Sequence, residues 1–339
     1  MTLPRVAIVT TGGTIDSLGV DRLDLAAYLD TGVRLAPGDL LTGIAPELAS
    51  IADVREVPFR RLRAHAMTDD DIADLTDSVR GLLEHGLLDR GQADGVVVTH
   101  GTNTLEETAW LLNLVVPGNR PVVLTGAMRP ASALSGDGPL NLVNAVRLAA
   151  SPEARGLGTL VLLDDTIHGA RDVTKSDTMR LSAFRAGAAG PLGWVDGDGR
   201  VVINHVPSRG AGLRGRFAAG DLRALPRVDI VVTYQGADGA LIDAAVAAGA
   251  RGIVSAGTGA GYPTPAEIEA LERASAAGIV VCQATRVGAG RVPAVPSLVA
   301  RGWVAADDLP PWKARILLRL ALAAGITDRD ALQALFDGA

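Results

Sequence analysis

The chain has 339 residues, of which 48% are hydrophobic and 21% are charged. At roughly 150 residues per domain, this length predicts about two folded domains with sizeable cores. The net charge of −6 argues against a nucleic-acid binder, because affinity for a duplex depends on clustered Lys and Arg. The apolar stretches are far shorter than the ~20 residues of a membrane span, which argues against a membrane partner. A small molecule is the expected partner.

The N-terminus runs directly into the apolar segment Val6–Val9, without a basic stretch, a long apolar stretch or a cleavage site. We therefore expect a cytoplasmic protein. Cys282 is the only cysteine in the sequence, so the chain cannot form an internal disulfide or a thiolate metal cluster. We expect neither a cofactor nor a metal.

Short β-branched segments alternate with amphipathic ones, which predicts parallel α/β sheets. The predicted strands are 5–10, 54–57, 95–99, 122–125, 160–163, 228–234, 252–255 and 279–282. The predicted helices, with apolar residues at three- and four-residue spacing, are 70–84, 104–114, 138–149, 241–248, 265–277 and 310–324. The segment 206–226 is rich in Gly, Arg and Pro, as linkers are. It predicts one domain at 1–205 and a second at 227–339.

Lysine is rare in this sequence. Of the 32 basic residues, 30 are Arg and only Lys175 and Lys313 are Lys. Because Arg does not lose its proton in proteins, such a chain would keep Lys by chance or where a neutral amine serves as a base. Lys175, among polar turn residues after a predicted strand, could be that base in a dry pocket, or a solvated surface lysine. Lys313, inside an amphipathic segment, is expected to cover apolar surface with its stem.

Two threonines follow predicted strands at the ends where parallel α/β folds bind ligands. Thr14 lies in TTGGTIDS after the first strand, where the alternative is an ordinary Gly-Gly turn. Thr102 lies in THGTNTLEET after the third strand. Thr104 and Glu107 of that segment fit a capping box, which does not account for Thr102. If the two strands are neighbours, a two-threonine site is plausible.

Several motifs occur together in a characteristic order and spacing. They are TTGGTI, THGTNTLEETA, GAMRP at 126–130, DGPLNL at 137–142, DVTK ending at 175, IVSAG at 253–257 and KARILL at 313–318. In these motifs the chain resembles the bacterial-type L-asparaginases. The resemblance implies an α/β fold with a larger N-terminal parallel-sheet domain, which is catalytic, and a smaller C-terminal α/β domain. It also implies a homo-oligomer, a dimer or tetramer, with active sites where two subunits meet.

The activity implied by the resemblance is hydrolysis of a side-chain amide through a threonyl acyl-enzyme. Thr14 matches the nucleophile, and Tyr28 matches the tyrosine on the loop that closes over the substrate and helps to activate that nucleophile. Thr102 matches the second threonine, which positions or activates water, and Lys175 matches its partner base. Lys175 must then be desolvated, since an ammonium cannot accept a proton. The expected oxyanion donor is the backbone N–H of Thr102.

The chain departs from the family pattern where the family holds its amino-acid substrate. The matching substrate positions are Ala64, His65, Gly101 and Asn103. Asn103 replaces an Asp, and Ala64-His65 replace Ser followed by Gln, Glu or Asp. Ala260 replaces an Asn of some members, and 291–297 lacks the acid that those members donate to a neighbouring subunit. His65 and Asn103 could rebuild the contacts, although His65 could equally be a loop residue without a ligand. We expect weak handling of free L-asparagine.

Three classes of function therefore stay open. The first is an amidohydrolase for L-asparagine or a related small amide, including an amide without a free α-amino group. The second is a non-catalytic homologue that binds a small molecule, which the combination of Thr14, Thr102 and Lys175 argues against. The third is an amidotransferase subunit that supplies ammonia to a tRNA-linked acid. That class usually has an extra N-terminal domain, whereas this chain begins at the first predicted strand.

Overall fold

The computed structural model describes residues 2–84 and 93–339. The chain forms two compact units, one ending at Gly215 and the other running from Arg216 to Ala339. This division falls inside the segment 206–226, whose bounds as a linker stay a prediction. Among the described helices, none is long and apolar enough to cross a membrane.

The strands of the N-terminal unit are β1 (Arg5–Thr10), β2 (Asp53–Pro58), β3 (Gly95–Thr99), β4 (Val122–Thr125), β5 (Thr159–Leu163), β6 (Thr166–Gly169), β7 (Thr174–Lys175), β8 (Phe184–Arg185), β9 (Gly193–Val195) and β10 (Val201–Ile203). Eight of them form one sheet in the order β10-β9-β6-β5-β4-β3-β1-β2, while β7 and β8 pair separately. Strands β2, β1, β3, β4 and β5 are parallel, as predicted.

The other edge of this sheet, β6, β9 and β10, is antiparallel, so the sheet is mixed rather than purely parallel. The cause lies in the connection after β5. Asp164 and Asp165 both have positive φ, 51° and 58°, as in the two-residue turns that match strand twist in hairpins. The chain therefore reverses beside β5 instead of crossing over through a helix.

The helices of the N-terminal unit are α1 (Asp39–Thr42), α2 (Ala45–Ala49), α3 (Asp69–Glu84), α4 (Leu105–Val115) and α5 (Gly138–Ala150). Ile8 of β1 and Val97 of β3 are fully buried and form a core with Leu142 and Val146 of α5. Because helices α3 and α4 also contact the sheet, the central strands are buried along their length, which explains their continuous β-branched runs.

The smaller C-terminal unit has a four-stranded parallel sheet. Its elements are β11 (Val228–Val232), α6 (Ala240–Ala247), β12 (Gly252–Gly257), α7 (Pro265–Ala276), β13 (Val280–Thr285), α8 (Pro296–Ala300), β14 (Val304–Ala305), α9 (Pro311–Ala323) and α10 (Arg329–Gly338). Helix α9 packs on the sheet. The two units confirm the predicted fold class, a larger α/β domain followed by a smaller one.

Gly95, at the start of β3, lies against the end of α5. A Cβ added there would lie 2.2 Å from the backbone oxygen of Ala149. We expect Gly95→Ala to lower the free energy of unfolding by about 2 kcal/mol or more, because backbone atoms must move. Gly81, in α3, has open space around its Cα, so Gly81→Ala should raise stability by about 0.5–1 kcal/mol. Urea unfolding measures the free energy of unfolding of both variants. Equal changes in the two variants would contradict the close packing at Gly95.

Candidate active site

The loops that follow β1 and β3 lie side by side, because these strands are neighbours in register, with Thr10 opposite Thr99. The expectation that the two strands are adjacent is thereby confirmed. The loops touch through glycines: Gly13 has φ of 122°, and a Cβ there would lie 2.9 Å from the Cα of Gly101. A side chain at position 13 would therefore push the two loops apart.

Thr14 begins a short 3-10 turn, Thr14–Asp16, directly after this contact. Its hydroxyl lies 2.9 Å from the phenolic oxygen of Tyr28, and its side chain is buried. The turn is braced by Ser17, whose hydroxyl donates to the carbonyl of Gly13 at 2.8 Å. The predicted nucleophile is therefore held in a fixed geometry and already contacts a group that can relay its proton.

Tyr28 belongs to the segment 19–34, which is joined to the rest of the unit at a few points. The N–H of Leu18 donates to the carbonyl of Val33 at 2.9 Å, closing the base of the segment. The N–H of Gly19 donates to the hydroxyl of Ser132 at 2.8 Å. Several apolar side chains of the segment are exposed, Leu23 at 77% for example. Few buried contacts therefore hold Tyr28 over Thr14.

Lys175 meets the second threonine of the site. Its ammonium lies 2.8 Å from the hydroxyl of Thr102, and its backbone N–H donates to the carboxylate of Glu106 at 3.0 Å. Burial lowers the pKa of Lys175 from its usual 10.5, against the opposing charges of Glu106 and Asp177. The neutral amine that a base requires is therefore more accessible than in an exposed lysine.

Thr104 is the N-cap residue directly before α4, but its hydroxyl does not accept a hydrogen bond from that helix. It donates instead to the carbonyl of Ala64 at 3.0 Å. Ala64 also lies close to Gly101, since a Cβ on that glycine would be 2.8 Å from the Cβ of Ala64. The expected capping box is thus wrong for the side chain of Thr104, which fastens the turn Ala64–Ala66 to the loop carrying Thr102.

His100 lies beneath this loop and is completely buried. Its Nδ1 lies 2.8 Å from the carbonyl of Gly101, which can only accept, so Nδ1 carries the proton. Its Nε2 then accepts from the hydroxyl of Thr108 at 3.1 Å. Burial lowers the pKa of His100 to about 4, with the Gly101 carbonyl opposing the shift. A neutral imidazole therefore supports the backbone next to Thr102.

A buried carboxylate stands behind the nucleophile. Asp16 lies 3.8 Å from the guanidinium of Arg34 and 3.7 Å from that of Arg61. Burial raises the pKa of Asp16, while both arginines oppose the rise. Two guanidinium groups face one carboxylate here, so the cluster of Asp16, Arg34 and Arg61 has a net positive charge beside the site.

One cavity of about 200 Å³ in the N-terminal unit collects the predicted residues. All eight line it: Thr14, Tyr28, Ala64, His65, Gly101, Thr102, Asn103 and Lys175. The remaining lining residues are Gly13, Leu25, Ala26, Leu29, Arg34, Arg63, Met128, Thr178 and Met179. The structure thus brings the predicted set together, while the role of each residue stays a prediction.

Other residues singled out in the sequence lie in the C-terminal unit. Ala260 is in the turn between Thr258 and Tyr262, and 291–297 precedes and enters α8. Lys313, in α9, is completely buried, so its head group as well as its stem is inside the unit. In the part of the chain that the structure describes, no group of His, Cys, Asp or Glu is arranged to hold a metal.

Sequence reasoning did not assign a role to several residues around the cavity. They are Asp16, Arg34, Arg61, Arg63, His100 and Glu106. Glu106 carried a signal, because a carboxylate in an apolar helical stretch that becomes buried needs a partner. His100 also carried one, as a polar residue at the end of a buried strand. The arginines carried none, since Arg is abundant throughout this sequence.

Two family models match the chain in succession. The model described as Asparaginase, N-terminal, matches residues 5–208, and the Glutaminase/Asparaginase C-terminal domain matches residues 227–336. The chain therefore belongs to the asparaginase family, which confirms the resemblance seen in its motifs.

Individual relatives match over nearly the whole chain. L-asparaginase 2 from Bacillus subtilis is 38% identical over 335 residues, covering 99% of this chain and 86% of that protein. Glutaminase-asparaginase from Pseudomonas fluorescens biotype A is 35% identical over 343 residues, covering 98% and 90%. The crystal structure of the probable cytoplasmic L-asparaginase from Campylobacter jejuni superposes with a TM-score of 0.90 at 34% identity, covering 99% and 100%.

The buried His100 makes stability depend on pH. Its folded pKa of about 4 lies below the ordinary 6.5, so below that value the unfolded chain gains a proton that the folded protein excludes. We expect this group to remove about 2 kcal/mol of stability between about pH 7 and about pH 4.5.

Urea unfolding of the wild type and His100→Gln at both pH values measures this loss. The variant should show a smaller drop in stability on acidification, by about 2 kcal/mol. His205 is exposed, so His205→Gln should retain the wild-type drop. A His100→Gln protein with the full wild-type drop would refute the assignment of a neutral buried imidazole.

Proposed function

We propose that this protein is an amidohydrolase that releases ammonia from the side-chain amide of L-asparagine or a related small amide, through an ester on Thr14. One observation carries the proposal: two threonine hydroxyls, each bonded to a group that can relay a proton, border the same cavity. A site that only binds does not need this duplication. The names of the relatives, L-asparaginase and glutaminase-asparaginase, support this class of substrate.

The first half of the reaction uses Thr14 and Tyr28. The Thr14 oxygen attacks the amide carbon as its proton passes to the Tyr28 oxygen 2.9 Å away. Tyr28 gives its own proton to the amide nitrogen, so the C–N bond breaks, ammonia leaves and an ester remains on Thr14. Tyr28 therefore carries one phenolic proton both before and after this step.

The charge that develops on the carbonyl oxygen needs donors. The backbone N–H of Thr102 meets no acceptor among residues 2–84 and 93–339, which supports its role as the oxyanion donor. It is held in place by the neutral His100, which bonds the adjacent Gly101 carbonyl. A fixed backbone donor stabilises the intermediate without rearranging during the reaction.

The second half of the reaction uses Thr102 and Lys175. Neutral Lys175 takes the proton of the Thr102 hydroxyl, which takes a proton from water as that water attacks the ester carbon. The ester C–O bond breaks as Tyr28 gives its proton to the Thr14 oxygen. Lys175 releases the proton that it took, and this proton returns through solvent to the Tyr28 oxygen, so both residues regain their starting protonation states. The products are the free acid and a restored threonine.

We expect Thr14→Ala to lower kcat/KM for amide hydrolysis by on the order of 10³-fold or more, because the ester cannot form. Thr102→Ala should lower turnover similarly but permit acylation, so mass spectrometry of quenched reactions should detect an acyl adduct on Thr14. Thr42, an exposed residue of α1, provides a control, and Thr42→Ala should be as active as the wild type. Near-normal turnover by Thr14→Ala would reject this mechanism.

The pH dependence of turnover should reflect Lys175. A base must be neutral, so kcat should rise with pH, and the midpoint should lie below 10.5 because burial lowers the Lys175 pKa. Lys175→Met should abolish this rise and lower kcat by about 10³-fold. Tyr28→Phe should be slow but keep the rise, which separates the two titratable groups. A rise that persists in Lys175→Met would assign the base elsewhere.

The assembly and the compartment belong to the same proposal. The family resemblance supports a homotetramer, and the segment 19–34 with its exposed apolar side chains supports contact with a second subunit or with substrate. The name of the similar Campylobacter jejuni protein, a probable cytoplasmic L-asparaginase, supports a cytoplasmic location. Sedimentation equilibrium and cell fractionation test these two statements.

A further inference from the structure

The side chains around the cavity have an unequal balance of charge. Arg34, Arg63 and Lys175 line it, together with His65. Among residues 2–84 and 93–339, no Asp or Glu lines the cavity. A bound ammonium group would therefore meet cations and no carboxylate in the lining, whereas a bound carboxylate would meet several donors.

Three acids near the cavity already have other partners. Asp16 faces the guanidinium groups of Arg34 and Arg61, and Glu106 accepts the backbone N–H of Lys175. The carboxylate of Asp177 accepts the backbone N–H groups of Met179 and Arg180 at 2.8 and 2.9 Å. None of the three is a lining residue, so none is placed to bind a substrate ammonium.

Arg63 is a lining cation without a carboxylate partner among the described residues. One of its N–H groups donates to the carbonyl of Leu29 at 3.3 Å. Arg63 is an exposed residue that lines the cavity, so its other donors are available to a ligand. Guanidinium binds carboxylate through two parallel hydrogen bonds, so Arg63 suits an anionic ligand.

The rest of the lining is uncharged. Leu25, Met128 and Met179 supply apolar surface, and Ala64 supplies only a methyl group. Asn103 adds an amide that can donate or accept without charge. In an amino-acid substrate, the ammonium is attached to the carbon that carries the carboxylate. This surface can accommodate an uncharged group in place of that ammonium.

From this charge pattern we infer that the site selects amides that carry a carboxylate but no ammonium, with Arg63 binding the carboxylate. Two sources share this chemistry: deaminated amides such as succinamate, and N-acylated ones such as N-acetyl-L-asparagine. The inference rests on the proposed amide hydrolysis for the reaction, but the selection of ligand charge can be measured without turnover.

The first experiment measures binding of the product acids to the wild-type protein by calorimetry. Succinate should bind at least about tenfold more tightly than L-aspartate, which differs by its ammonium. N-acetyl-L-aspartate identifies the source: binding as tight as that of succinate indicates N-acylated amides, and weaker binding indicates deaminated ones. Equal affinities for succinate and L-aspartate, or tighter binding of L-aspartate, would overturn the inference.

The second experiment measures ammonia release from succinamate, N-acetyl-L-asparagine, L-asparagine and the neutral diamide succinamide. We expect kcat/KM for succinamate to exceed that for L-asparagine by about tenfold or more. In Arg63→Gln, the ratio of kcat/KM for succinamate to that for succinamide should fall about tenfold. Arg55→Gln removes the same charge from an exposed residue of β2 outside the cavity lining, and its ratio should stay at the wild-type value.

The outcomes separate this inference from the proposed function. Selective binding of succinate without ammonia release from any amide would reject amide hydrolysis and leave the ligand assignment intact. Hydrolysis that favours L-asparagine would keep the proposed function and overturn the inference. A loss in Arg63→Gln that is equal for succinamate and succinamide would show that Arg63 supports the structure rather than binding the carboxylate.

Discussion

The contact between two glycines organises this site. Gly13 follows β1 and Gly101 follows β3, and the absence of a side chain at Gly13 lets their loops touch. The absence of a side chain at Gly101 leaves room for Ala64. Adjacent parallel strands end about 5 Å apart, so threonines just beyond them can share one ligand only if the loops do not diverge. The positive φ of Gly13 turns the chain directly before Thr14, which lines the cavity. The placement of both hydroxyls at one cavity depends on this small clearance.

Burial shifts the pKa values of titratable groups at the site more than nearby opposite charges do. Desolvation outweighs the nearby carboxylates at Lys175 and the nearby arginines at Asp16. At His100, desolvation favours the neutral imidazole, whose Nδ1–H donates to the Gly101 carbonyl. Burial therefore shifts the pKa of each group toward its neutral form, and the packing of the N-terminal unit maintains that burial. Packing and chemistry at this site cannot be changed independently.

Much of the architecture could be predicted from local pattern. Thr14 and Thr102 can be identified because they follow predicted strands at the ends where parallel sheets bind ligands, and Lys175 because Lys is rare in this chain. The reversal at Asp164 was missed, since a two-residue turn leaves no periodic signal and depends on backbone torsion angles. The presence of Arg63 in the cavity lining could not be predicted either, because residues that are distant in sequence together determine the charge of a cavity.

The position of Tyr28 makes the reactivity of Thr14 depend on the conformation of the segment 19–34. Its hydroxyl reaches Thr14 from a segment that few contacts hold in place. In the proposed mechanism, Thr14 is an ordinary alcohol whenever this segment moves away, and it becomes a nucleophile only when the segment returns. The residue that closes the cavity is then also the residue that permits reaction. An open site would be chemically silent toward water and toward ligands too large for the segment to cover.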